Sequence, residues 1–163
     1  MRRLVLVLCL LVPTAAQASE TLDLSIGAGI DTGDATGWAI RFGQTMDMTH
    51  TEDGLIYGAT CGYDYWRAGS SSGFNIPIGG FVGARTHDVI TTFGAGLGLL
   101  AVETNHHDDG FGVVPYLGTT LGFALAGRRT ITIDGRISRH VLLGADDFSR
   151  WSVLVMYGGS VGH

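Results

Sequence analysis

The chain has 163 residues, no lysine, ten arginines and fifteen acidic residues, and only 15% of it is charged, against ~25% for soluble globular domains. That supply is too small to coat the outside of a soluble domain, and the acidic balance argues against nucleic acid as a partner. The length sets a single domain, and beyond the N-terminal segment no stretch has the ~18 uninterrupted apolar residues of a membrane-spanning helix.

Residues 1–18 read as a cleaved secretory signal peptide, with 19–163 as the mature domain. Arg2 and Arg3 form its positive region, Leu4 to Val12 its apolar core, and Ala16-Gln17-Ala18 its small-x-small cleavage site. The apolar core is too short to span a bilayer. Cys9 follows Leu8, where a lipoprotein signal has a small residue. Cleavage takes two arginines and no acid, so the net charge moves from −5 to −7. It leaves Cys61 as the one cysteine, which makes an intrachain disulfide impossible in an oxidising compartment.

The mature part is built from segments that alternate bulky apolar residues with small or polar ones, the period of a strand with two different faces. Thr119-Thr120-Leu121-Gly122-Phe123-Ala124-Leu125 is one example, and Thr130 to Ile137 is another. Eight strands are predicted at about 21–30, 35–46, 54–67, 73–85, 88–102, 111–126, 129–143 and 150–161. Their bulky faces carry Leu24 and Ile26, then Trp38 and Ile40, Tyr57 and Tyr65, Ile78 and Val82, Phe93 and Leu97, Leu117 and Leu121, Ile131 and Ile133, and finally Val153 and Val155. The opposite faces run to glycine and threonine, as in Thr92, Gly94, Gly96 and Gly98. Small inward residues relieve crowding around the axis of a narrow closed barrel. The expected fold is therefore all-β: an eight-stranded antiparallel up-and-down transmembrane β-barrel.

With the N-terminus in the periplasm, the outward loops fall at about 31–34, 68–72, 103–110 and 144–149. The inward turns fall at about 47–53, 86–87 and 127–128. The outward loops are mostly the longer set, as this class of barrel requires. Trp38, Tyr65, Trp66, Phe74, Phe111 and Trp151 fall at the outward strand ends and form a predicted aromatic girdle at headgroup level. Tyr57 and Tyr157 are candidates for a thinner inner girdle.

On these strands and ends the chain resembles the small eight-stranded outer-membrane barrels, the OmpA/OmpX-like superfamily. The likeness covers nearly all of residues 20–163 and is one of architecture. Barrels of that kind usually close on a glycine, an apolar residue and a terminal aromatic, here Gly158, Val161 and His163; the final His departs from the usual Phe. The resemblance implies an outer-membrane location in a Gram-negative envelope and passage through the barrel-assembly machinery. It also implies contact with outer-membrane lipid and lipopolysaccharide, and a monomer.

Four constellations carry potential chemistry. Asp23, Arg41, Asp64, Arg85, Asp134, Arg136 and His140 share the inward parity and make either a salt-bridged plug or a proton or ion path. Ser138 and His140 share a strand face, with Asp134, Asp146 and Asp147 as acids, which are the ingredients of acyl transfer. Gly62-Tyr63-Asp64-Tyr65-Trp66 is similar to a segment of the lipid A deacylases, but the His-x-Ser pair of that family has no match after His140, so no catalytic residue is carried over. His106, His107, Asp108 and Asp109 sit in one predicted outward loop and offer imidazole and carboxylate to a divalent ion, without a recognised ligand spacing. Arg139 has the lipid-facing parity near an outward strand end, from which it can reach an anionic headgroup. No motif calls for a cofactor. The function expected is structural, an envelope-integrity or surface-interaction barrel with a plugged lumen. The alternatives are a narrow solute or ion pore, a lipid A-modifying enzyme, and a soluble barrel with its faces inverted.

Overall fold

The computed structural model describes residues 21–33, 35–49, 53–104, 110–143 and 146–161. The signal peptide, the loop holding His106, His107, Asp108 and Asp109, and His163 lie outside the described residues.

Eight strands follow one another in chain order: β1 Thr21–Thr32, β2 Thr36–Asp47, β3 Gly54–Ala68, β4 Ser71–Arg85, β5 Val89–Thr104, β6 Gly110–Leu125, β7 Arg129–Leu143 and β8 Phe148–Val161. Each pairs antiparallel with its neighbours, and β8 returns to β1, so the sheet is a closed barrel. The closing ladder runs from Leu22 opposite Val161 to Thr32 opposite Trp151. Closure leaves no strand edge with unpaired backbone groups, which is the condition for crossing hydrocarbon. Two ladders are interrupted where proline removes the N–H donor. The β3–β4 ladder skips from Cys61 opposite Ile78 to Asp64 opposite Asn75, beside Pro77. The β6–β7 ladder skips from Val113 opposite Val141 to Tyr116 opposite Ser138, beside Pro115.

Every strand end lies within about two residues of its sequence-based placement, but those small extensions overturn one expectation. The connections at the end expected to face outward are 33–35, 69–70, 105–109 and 144–147, and those at the opposite end are 48–53, 86–88 and 126–128. The outward set is not the longer one. Strand pairing continues into what composition marks as loop, because Asp31, Thr32, Ser71, Ser72, Phe148 and Ser149 still find ladder partners.

The outside is apolar. Ile137 is 67% exposed and Leu97 62%, with Ile26, Phe93, Leu117, Val155 and others alongside. The inside is not uniformly small or polar, as parity had suggested. Ile56, Val114, Leu100 and Leu154 are fully buried, and the last three join Ala39, Trp66, Ala68 and Met156 in one apolar cluster. Most of that cluster belongs to the outward half of the barrel, with Leu142 and Phe148 packed against it. Large inward side chains fit because glycine stands opposite them. Trp66 pairs with Gly73, and a Cβ on Gly73 would come within 2.5 Å of the indole. The Tyr116 hydroxyl likewise occupies the space that a Cβ on Gly79 or Gly96 would need.

Gly73→Val is therefore expected to destabilise the folded barrel by about 1–3 kcal/mol through overpacking against Trp66. Gly135→Ala, whose new Cβ would meet only an ordinary contact with Thr119 at 3.7 Å, is the control and should change little. Urea titration in detergent, read by heat-modifiable gel mobility, measures both.

Candidate functional site

Among the described residues, buried ionisable groups converge in the lumen, which is layered along the barrel axis. At mid-barrel, Arg41 of β2 donates from Nε to Asp64 Oδ1 at 2.6 Å and from Nη2 to Asp64 Oδ2 at 3.2 Å. Its Nη1 donates to Asp134. Arg136 Nη1 donates to Asp64 Oδ2 at 2.9 Å, and Thr120 Oγ1 donates to Asp134 Oδ2 at 3.1 Å. The Arg136 guanidinium also lies 4.2 Å from the centre of the Tyr116 ring. Two cations thus meet two anions from strands β2, β3 and β7. Register explains much of this: Arg41 is the ladder partner of Asp64, and Thr120 that of Asp134.

Toward the outward end a second layer forms around Arg150. Its Nε donates to Asp31 Oδ1 at 2.6 Å, and its guanidinium stacks 3.8 Å from the Trp66 ring centre. His140 packs at 4.5 Å on Phe148 and at 6.0 Å on Trp66, centre to centre. Ser138 Oγ lies 3.1 Å from His140 Nε2. Stacked arginine and aromatic faces fill the cross-section with apolar area while the charge stays paired. At the opposite end Arg85 pairs with Asp47 at 2.9 Å, and Ser160 Oγ donates to Asp23.

The seven inward polar residues named from sequence are divided by this layering. Arg41, Asp64, Asp134 and Arg136 form the central cluster, His140 belongs to the outward layer, and Asp23 and Arg85 stand near the Thr21 and Val161 end of the barrel. Sequence reading missed Asp31, Asp47, Asn75, Arg150 and Ser152, all buried. Parity suffices for Asn75, Arg150 and Ser152, which fall inside the predicted strands 73–85 and 150–161. Asp31 and Asp47 fall in predicted loops, where no alternation can be read.

Trp66 is a correction. It was expected in the girdle but is 3% exposed and points into the lumen, because its neighbour Tyr65 takes the outward parity on the same strand. Trp38 and Tyr65 form an exterior pair at 5.5 Å, Phe74 stacks on Tyr63 at 5.8 Å, and Phe111 and Trp151 are exposed. Arg139 is on the exterior, with its side chain 54% exposed, and reaches Asp147 at 3.6 Å and Ser149 Oγ at 3.3 Å. Among the described residues no group of three or more His, Cys, Asp or Glu side chains is arranged to hold a metal ion.

These two arginine environments predict opposite sensitivities. Asp64→Ala strips paired carboxylate oxygens from two buried guanidinium groups and should cost about 3–5 kcal/mol. Arg139→Leu removes an exposed pair worth at most ~1 kcal/mol and places an apolar group on the apolar face, so stability in detergent should be unchanged or slightly higher. Reversible urea unfolding of both variants checks the contrast; marked destabilisation by Arg139→Leu would mean that its outward placement is wrong.

No family model matches the chain, and no curated protein matches it. Solved structures do. Neisserial surface protein A superposes with a TM-score of 0.68 at 12% identity, over 86% of this chain and 97% of that one. The outer membrane enzyme PagL superposes with a TM-score of 0.55 at 18% identity, over 82% and 97%. At these identities the likeness is one of fold, and the fold is that of the small eight-stranded outer-membrane β-barrels.

Proposed function

We propose that the protein is an integral outer-membrane barrel whose role is structural, in envelope integrity or surface interaction, with a lumen closed to passage. The observation that carries this reading is the filled outward half of the barrel. Leu100 and Leu154 are 0% exposed, and the Arg150–Trp66–Asp31 stack and the Arg41–Asp64–Asp134–Arg136 cluster close the section beside them. An eight-stranded barrel has an interior just wide enough for side chains to fill. The exterior apolar band and the Trp38, Tyr65, Phe111 and Trp151 positions support the membrane placement.

A lipid A acyl hydrolase, the reaction class suggested by the segment around Asp64, would need an exposed nucleophile and base. Ser138 and His140 are within contact, but His140 is 3% exposed, wedged between Trp66 and Phe148. A lipid-sized substrate has no approach to it. A pore would need a water path past Leu100, Val114 and Leu154, all fully buried.

Planar-bilayer recording of the purified barrel tests the closed lumen. The expected result is a flat baseline at voltages on the order of 100 mV of either sign. Discrete, reproducible unit conductances would overturn the proposal and return the pore reading.

A further inference from the structure

The half of the lumen at the Thr21 and Val161 strand ends is built differently from the plugged half. It holds a cavity of about 150 Å³, the size of an engineered cavity that accepts one benzene. Arg41, Tyr116 and Arg136 bound it at mid-barrel, and Asp47 and Arg85 stand at the strand ends near its mouth. Its wall combines two chemistries. Ile56, Phe81, Ile90 and Met156 supply apolar surface. Thr45, Thr60, Thr92, Thr130 and Thr132 supply hydroxyls from four strands. Among the described residues none of these five hydroxyls has a protein partner, whereas Thr120 is committed to Asp134. The charged wall residues are three aspartates and three arginines, Asp23, Asp47 and Asp134 against Arg41, Arg85 and Arg136, so the wall carries no excess of either sign to favour an ion.

We propose that this cavity is a binding site for a small uncharged amphipathic molecule, with an aromatic or alicyclic body of about six to ten non-hydrogen atoms and a hydroxyl or carbonyl group, admitted from the Thr21 and Val161 end. The size sets the body. The apolar strip of Phe81, Ile90, Ile56 and Met156 takes it, and the threonine hydroxyls orient the polar group by donating to it or accepting from it. The wall's six charges balance, and Arg41, Arg85 and Arg136 are each paired with an aspartate, which leaves no surplus charge to offset the desolvation of an ion. The plugged outward half makes the site a closed-ended pocket, so the ligand leaves by the way it arrived.

The test is ¹⁹F and NOESY NMR of the full barrel in detergent with 4-fluorophenol as the probe. The expected result is a saturable ¹⁹F shift beyond that in empty micelles, with intermolecular NOEs to the Ile56, Ile90 and Met156 methyl groups. Thr132→Trp and Thr92→Phe, which fill the cavity, should abolish saturation while heat-modifiable mobility reports that each still folds. Ile133→Trp, on the lipid-facing side, should leave it intact. The isosteric double variant Thr60→Val/Thr92→Val should weaken binding about fivefold, the equivalent of one hydrogen bond. The proposal is overturned if the shift matches micelle partition alone or the NOEs reach only Ile131 and Ile133. Retained saturation in both cavity-filled variants, unchanged affinity in the valine double variant, or NOEs from water only would also overturn it.

Discussion

A chain that crosses hydrocarbon has no water to satisfy its backbone, so every N–H and C=O must find a partner within the protein. Eight short strands satisfy that demand only by closing on themselves, and the β1–β8 ladder does so along nearly the full length of both strands. The other features follow from closure at this strand number. Each strand turns a bulky apolar face outward because the apolar solvent is there. The inward residues share one narrow axis, so glycine must alternate with whatever large side chain occupies each level. Trp66 over Gly73 and Tyr116 against Gly79 and Gly96 are the local solutions. Even the two proline interruptions are tolerable only because Pro77 and Pro115 keep ladder partners on their other side, in β5.

The lumen answers a second demand, that ionisable groups taken out of water meet partners. Each inward arginine of the central and outward layers faces an aspartate from another strand: Arg41 and Arg136 share Asp64, Arg41 also reaches Asp134, and Arg150 takes Asp31. Arginine suits this task better than lysine, because its planar fork can bridge two carboxylates and stack on an aromatic ring. Both devices are used here, by Arg41 between Asp64 and Asp134 and by Arg150 over Trp66. The result is a gradient along the axis, from apolar packing with stacked arginine, through a compact ion cluster, to a hydroxyl-lined cavity. That gradient makes the lumen a plug at one end and a pocket at the other.

Much of this was legible in the chain, and the failures have a common cause. Alternation is a local property, so the strands, their outward faces and the inward parity of Arg41, Asp64, Asp134 and Arg136 could all be read directly. Strand ends depend on ladder partners far away in sequence, so composition alone reads Asp31 and Asp47 as loop residues and the outward loops as longer than they are. For Trp66, position along the strand points to the girdle and parity to the lumen; the strand's own alternation is the better guide. The apolar filling by Leu100, Val114 and Leu154 was hidden for a related reason. Inward residues were expected to be small or polar, yet whether a given level holds a leucine or a glycine depends on what seven other strands place there.

The closed lumen, the cavity and the exterior arginine all presuppose one arrangement: lipid tails against the bulky face and protein or water against the threonine face. Single-cysteine variants in a Cys61→Ala background, reconstituted in vesicles and read with a bilayer-confined photoactivatable thiol-adjacent label, test it most directly. The account predicts labelling at positions 121, 131 and 133 and protection at 120, 130 and 132, which alternate with them on β6 and β7. The reverse pattern, with the threonine positions labelled and Leu121, Ile131 and Ile133 protected, would contradict it.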